Sequence, residues 1–291
     1  FPTRRSSDLV GRSLARSLGW LWDVKTRKLI AQVAGNAPML AGVPFSPDGR
    51  LFVLGNSDGT LRVLSAATGE LHRLYHLPPS EHLAANEMLF SGFSPDGSLI
   101  FAYGGIGPKV WLLESATGRP RTTLYEPQSG LSLVAFSPDS KYVLTGGQDG
   151  AGWLWDARSG ALRTRLRGHT LALSAAAFSP DNLRLVTAAW DQTVRVWEVP
   201  GGQLVDRLRG HSDVVTSVRF APDGQRVITG GQDHTARIWN ALAGQHLLQF
   251  LGHRDTVTQA VYSPDGKTVA TASQDHTARV WDAETGRELA I

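Results

Sequence analysis

A repeated pentapeptide constrains this chain more than any other feature. Phe45-Ser46-Pro47-Asp48-Gly49 returns in related form at 93–97, 136–140, 178–182, 220–224 and 262–266. Its prolines, at 47, 95, 138, 180, 222 and 264, settle into an even step of 42 residues. A period of that length marks one small supersecondary unit packed against copies of itself, since no single copy can bury its own apolar face. An array of this kind offers a broad rigid surface rather than a single catalytic pocket.

The stretch 161–197 shows what the unit is made of. Leu162, Thr164 and Leu166 alternate with Arg163, Arg165 and Arg167, the period of two that describes a half-buried strand. Gly168-His169 ends it, and 173–178 follows as a strand of small residues. Ser179-Pro180-Asp181-Asn182 is a turn, and 184–189 a third strand. Trp190-Asp191-Gln192 then turns the chain into a fourth strand ending at Trp197. Four short strands with no helical period between them read as one blade of an all-β array.

Bulk properties fit that reading and remove several function classes. The chain is 42% hydrophobic and 19% charged, ordinary values for a globular protein. No apolar run approaches the ~18 residues of a membrane-spanning helix, so no membrane partner is expected. Cysteine is absent, which excludes disulfides and thiolate zinc sites and fits a cytoplasmic location. The net charge of +3 is too small to imply a polyanion such as nucleic acid. Arginine dominates the basic residues, a composition that points to a bacterial gene. Residues 1–9 resemble the translation of a sequencing-library adapter and are set aside as an artefactual or disordered leader.

Three further landmarks recur: a Gly-His pair, a turn aspartate and a terminal Trp-Asp. They stand as Gly168-His169, Asp191 and Trp197-Glu198; Gly210-His211, Asp233 and Trp239-Asn240; and Gly252-His253, Asp275 and Trp281-Asp282. On these marks residues 10–291 resemble the WD-repeat β-propeller family. The terminal-Trp slot falls at Trp22, Leu64, Leu113, Trp155, Trp197, Trp239 and Trp281, giving a seven-unit propeller of four-stranded antiparallel blades. The first unit keeps only Gly19-Trp20-Leu21-Trp22-Asp23 of its pattern, so the expectation is six full blades and the outer part of a seventh, with a truncated N-terminus.

Within each of the last three repeats a His, a Thr, an Asp and a Trp recur: His169, Thr187, Asp191, Trp197; His211, Thr229, Asp233, Trp239; His253, Thr271, Asp275, Trp281. A His-Asp pair beside a hydroxyl also describes a catalytic triad. The resemblance implies a structural hydrogen-bond chain instead, and three copies fit a scaffold better than a single site. The pattern decays toward the N-terminus. Pro127 takes the histidine slot of the fourth unit, the second keeps Asp58 beside Asn36 and Leu64, and the third has Gly107 and Leu113.

Other chemical-looking groups read as surface. Gly55-Asn56-Ser57-Asp58-Gly59 matches a nucleophile elbow in spelling but sits between strands, and 104–109 lacks phosphate-loop spacing. His72, His76, Glu81 and His82 follow no metal-ligand pattern and lie around an enlarged connection. Arg163, Arg165, Arg167, Arg207 and Arg209 form a basic stripe with no interleaved aromatics, read as a solvated edge.

The docking face implied by the resemblance bears the Gly-His loops and the turn aspartates. The position before each turn aspartate points onto it: Ser57, Gln148, Trp190, Gln232 and Gln274, with Asp213 and Arg254 adding opposite charges. Trp190 is a large aromatic at a tight turn, the residue type that dominates binding hot spots. The expected function is a non-catalytic protein-interaction scaffold, the C-terminal recognition part of a larger bacterial regulatory protein, with no metal and no cofactor. Two alternatives stay open: a propeller hydrolase or lactonase with its site in the central channel, and a nucleic-acid binder using the arginine stripe.

Overall fold

The computed structural model describes residues 18–23, 27–34, 45–56, 58–78, 89–104, 107–125 and 130–291. Every regular element among them is a β-strand, and every pairing is antiparallel. The chain divides into two compact units, residues 1–127 and 128–291.

Among its described residues the first unit holds three sheets. β1 (Leu18–Asp23) pairs with β2 (Lys28–Ala34). β3 (Leu51–Gly55), β4 (Thr60–Ser65) and β5 (Leu71–His76) form the second. β6 (Leu89–Phe93), β7 (Leu99–Gly104), β8 (Lys109–Glu114) and β9 (Pro120–Tyr125) form the third. Apolar side chains alternate to both faces and pack sheet against sheet: Leu21 meets Phe52, Leu54 and Leu64, while Val53, Leu61 and Val63 meet Ile100, Trp111 and Leu113. Leu113, in a slot held elsewhere by tryptophan, is fully buried in that second layer.

The second unit repeats one four-stranded sheet four times. The fourth sheet is β10 (Leu131–Phe136), β11 (Tyr142–Gly147), β12 (Gly152–Asp156) and β13 (Leu162–Leu166). The fifth is β14 (Leu173–Phe178), β15 (Arg184–Ala189), β16 (Val194–Glu198) and β17 (Leu204–Leu208). The sixth is β18 (Val215–Phe220), β19 (Arg226–Gly231), β20 (Ala236–Asn240) and β21 (His246–Phe250). The seventh is β22 (Val257–Tyr262), β23 (Thr268–Ser273), β24 (Ala278–Asp282) and β25 (Glu288–Ala290).

In this unit the first strands of successive sheets lie side by side, which is why they carry small residues such as Ala175–Ala177. The Ser174 hydroxyl donates to the Val215 carbonyl of the next sheet at 2.5 Å, and Thr216 donates likewise to the Val257 carbonyl. Valines dominate the layer between the fifth and sixth sheets: Val186, Val194 and Val196 of the fifth close against Val215, Val218, Val227 and Trp239 of the sixth.

One expectation changes. The four strands of 161–197 are not one blade: β13 hydrogen-bonds to β12 of the preceding sheet, with Trp153 opposite Arg165. The sequence repeat is thus one strand out of phase with the sheet, because a tight turn after the Trp-Asp pair hands the chain to the outer edge of its own sheet before it crosses over. The second sheet shows three strands among the described residues, with a Phe45–Phe52 bridge before them, and residues 35–44, where its first strand is expected, lie outside the described residues. Among the described residues five sheets are four-stranded, and the first shows two strands.

The Ser-Pro-Asp motif is a built turn. The Ser179 hydroxyl donates to Asp181 at 2.5 Å and accepts the Arg184 backbone N–H at 2.9 Å, while Asp181 also accepts the Leu183 N–H at 3.0 Å. The same set recurs at Ser46, Ser94, Ser137 and Ser263. Satisfying these backbone groups locally is what lets one pentapeptide recur with little variation.

Candidate functional site

Three buried hydrogen-bond chains run through the last three sheets. Indole N–H is a donor only, so Trp239 Nε1 donates to the Thr229 hydroxyl at 2.9 Å. That hydroxyl, its acceptor side engaged, donates to His211 Nε2 at 2.7 Å. His211 is left with its proton on Nδ1, which it donates to Asp233 at 2.8 Å. The fifth sheet repeats this through Trp197, Thr187, His169 and Asp191 at 2.8, 2.9 and 3.0 Å. The seventh repeats it through Trp281, Thr271, His253 and Asp275 at 2.9, 2.8 and 2.9 Å.

Each aspartate is saturated. Asp191 also accepts from the Thr193 hydroxyl at 2.7 Å and from the Thr170 and Thr193 backbone N–H groups at 3.0 Å. Burial alone would raise the Asp191 and Asp233 carboxyls. The hydrogen bonds from His169 and Thr193, and from His211 and Thr235, outweigh it and hold both well below the usual carboxylate range. A nucleophile needs a hydroxyl open to substrate, whereas Thr187, Thr229 and Thr271 are at most 2% exposed and spent at both ends. The arrangement performs the work of a tie between the His loop, the second strand and the third strand of one sheet.

The fourth sheet keeps part of the chain: Trp155 Nε1 donates to Thr145 at 3.0 Å, and Asp149 accepts the Ala151 N–H. Pro127 and Asn36 lie outside the described residues. Asp58 accepts from Thr60, whose hydroxyl also meets Asn56 Nδ2 at 3.0 Å, so the second sheet has a shorter, local version.

The turns that carry these aspartates build the exposed face. Trp190 donates its backbone N–H to the Ala172 carbonyl at 2.9 Å, Gln232 to Val214 at 2.8 Å, Gln274 to Thr256 at 3.0 Å and Gln148 to Gly130 at 3.1 Å. Each of these residues is thereby pinned beside the loop that precedes a first strand, with its side chain exposed. Trp190 is 57% exposed, and Leu171 of the adjoining loop is 52% exposed. Asp213 and Arg254 are exposed on the corresponding loops of the sixth and seventh sheets. Ser57 lies outside the described residues.

Leu171 escaped the sequence reading because nothing in its spacing separates it from a core leucine. Nor did the sequence reveal that Gln192, His234 and His276 adopt left-handed φ of 67°, 64° and 67°, where Gly59 and Gly150 stand in the earlier sheets. That conformation aims a second exposed side chain outward from each of the three turns.

The arginine stripe does not hold together as a uniform solvated edge. Arg163 pairs with Asp156 at 2.6 Å, and Arg165 pairs with Asp149 at 3.1 Å while stacking on Trp153 at 4.4 Å. Arg167, Arg207 and Arg209 remain exposed. The sequence grouped all five because it could not see which acids fold back onto the strand. Glu81 and His82 lie outside the described residues, His72 and His76 are exposed on β5, and among the described residues no three acidic or histidine side chains converge. No helix among them is long and apolar enough to cross a membrane.

The comparisons fit this geometry. The chain is 29% identical over 166 residues to the guanine nucleotide-binding protein subunit beta of Oryza sativa subsp. indica, a match covering 51% of this chain and 44% of that one. It is 29% identical over 128 residues to the apoptotic protease-activating factor 1 of Homo sapiens, covering 43% of this chain and 10% of that one. It therefore spans under half the length of the first and about a tenth of the second. Among solved structures it superposes on the computationally designed Ika8 protein with a TM-score of 0.78 at 25% identity, covering 94% of this chain and 80% of that one. The family model described as "WD domain, G-beta repeat" matches residues 28–65, 118–156, 160–198, 202–240 and 244–282, each match ending one residue beyond a terminal-Trp slot. With more than half of its residues in such repeats, this chain is a member of the WD-repeat family.

Proposed function

We propose that this protein is a non-catalytic docking scaffold whose partner is a protein or peptide seated on the turn face around Trp190. The observation that carries the reading is the contrast between two sets of residues on the same turns. The His, Thr, Asp and Trp side chains are consumed inside the sheet, while the residues beside them are held outward by backbone bonds to the neighbouring loop. A face whose backbone is fixed before contact loses little entropy when a partner docks. Trp190 and Leu171 supply its apolar centre, and Gln148, Gln232, Gln274, Asp213 and Arg254 its polar surround. The match to a tenth of a much longer relative supports placing this chain as the recognition part of a larger regulatory protein, here a bacterial and cytoplasmic one.

The test is capture by immobilised wild-type protein and by Trp190→Ala. The expected result is a partner retained by the first and lost by the second, with unchanged thermal unfolding, because an exposed turn side chain contributes little to the core. Equal capture by both, or a Trp190→Ala protein that unfolds, contradicts the proposal.

A further inference from the structure

We propose that Arg195, Arg207 and Arg209 of the fifth sheet form a binding site for a phosphate monoester carried on a protein partner. The proposal rests on the scaffold reading for its partner class and on the geometry of β16 and β17 for its chemistry.

Register places Arg207 directly opposite Arg195, and Arg209 continues the same face two residues on. Like charges directly opposed across a strand pair are unfavourable unless something neutralises them. Arg195 is only 7% exposed; it donates one guanidinium N–H to the Gly168 carbonyl at 2.6 Å, and its Nε–H has no hydrogen-bond partner among the described residues. No described carboxylate lies within ion-pair distance of Arg195, Arg207 or Arg209. Asp191 is the acid whose field reaches Arg195, but its oxygens are occupied by His169, Thr193 and the Thr170 backbone.

The sister sheets show what is missing. In the fourth, the place of Arg195 belongs to Trp153, and its cross-strand Arg165 has Asp149. In the sixth, Arg237 faces Gln249 and lies 3.6 Å from Asp233. In the seventh, Arg279 has Glu288. The fifth sheet alone among these four sets an arginine against arginines with no acid to answer them. Burial first, and then the fields of Arg207 and Arg209, hold the Arg195 guanidinium below the usual arginine range.

A phosphate monoester suits this cluster. It carries close to two negative charges and three acceptor oxygens, and planar guanidinium forks engage it in pairs. Nucleic acid is a poorer match, because Trp197 on this face is buried in its hydrogen-bond chain and offers no base a stacking platform. β17 is the outer strand of its sheet, so an extended peptide can run along its edge and present a phosphorylated side chain to the cluster.

The test titrates the folded full chain with phenyl phosphate, following the arginine Nε–H resonances, for wild type, the Arg207→Gln/Arg209→Gln double variant and Arg163→Gln. Wild type should bind, the double variant at least about tenfold more weakly, and Arg163→Gln like wild type. A phosphoserine peptide should bind wild type more tightly than its unphosphorylated form. Equal affinity across the three proteins overturns the site, as does binding of a single-stranded oligonucleotide in the absence of phenyl phosphate binding. Because phenyl phosphate is read with no partner present, this site can fail while capture through Trp190 stands, and the reverse.

Discussion

Replacing Thr229 by valine tests whether the buried chains are structural ties. The substitution keeps shape and swaps one hydroxyl for a methyl group, so no cavity opens. It removes the acceptor of the Trp239 indole N–H at 2.9 Å and the donor to His211 Nε2 at 2.7 Å. Trp239, Thr229 and His211 are 1%, 0% and 7% exposed, so water cannot substitute without reorganisation. A buried polar group left without a partner costs about 1–3 kcal/mol. Two such groups give about 2–6 kcal/mol, a large share of the ~5–15 kcal/mol that holds a typical domain together. Urea unfolding gives the magnitude. Amide exchange should place the loss in the sixth sheet and its neighbours, since stability in repeat arrays is largely a sum of local terms. Adding His211→Leu to Thr229→Val should cost less than the sum of the single changes, because each strands a group the other removes. A Thr229→Val cost below about 0.5 kcal/mol, with the Trp239 ring still ordered, would refute the reasoning.

The remaining predictions follow the same geometry. The folded-state Asp233 carboxyl lies below its ordinary value of 3.8, so its stabilising contribution is complete above that value and shrinks as pH falls toward the folded-state value. Asp233→Asn should therefore lose stability at neutral pH and show a flatter acid limb in pH-dependent urea unfolding; an unchanged acid limb contradicts the assignment. At Gly168, φ is 146° and an added Cβ would sit 2.3 Å from Arg195 Nη1, so Gly168→Ala should destabilise by about 1–3 kcal/mol in thermal unfolding. His276→Gly relieves a left-handed backbone at the cost of glycine's unfolded-state entropy, so calorimetry should show a change within about 1 kcal/mol of zero. Hydrogen exchange should be faster in the second and third sheets, which lack the full His-Thr-Trp chain, than in the fifth and sixth; uniform protection would contradict that ordering.

Much of this was legible in the chain itself. The recurring Phe-Ser-Pro-Asp turn set the period, and the family resemblance implied a chain of bonds through His211, Thr229, Asp233 and Trp239, whose side chains meet at 2.7 to 2.9 Å. What stayed hidden is pairing between segments remote from each other. The alternation in 162–166 identifies a strand but not which neighbour it joins, so the repeat was read one strand out of phase with the sheet. The five arginines looked equivalent because acids such as Asp149 and Asp156 approach them only after folding. Leu171 and the left-handed turn residues depend on how a loop lies on its neighbour, which local spacing does not encode.

The central claim is that a protein partner docks on the turn face, and site-specific photo-crosslinking tests it most directly. A photoreactive residue at position 148, beside Trp190's sheet, and another at position 247 on the outer strand of the sixth sheet, away from the arginine cluster, compare the two surfaces in the same folded protein. The account predicts a reproducible protein adduct from position 148 that an excess of wild-type protein suppresses and an excess of Trp190→Ala protein does not. Adducts formed equally from both positions, or suppressed equally by both competitors, would contradict it.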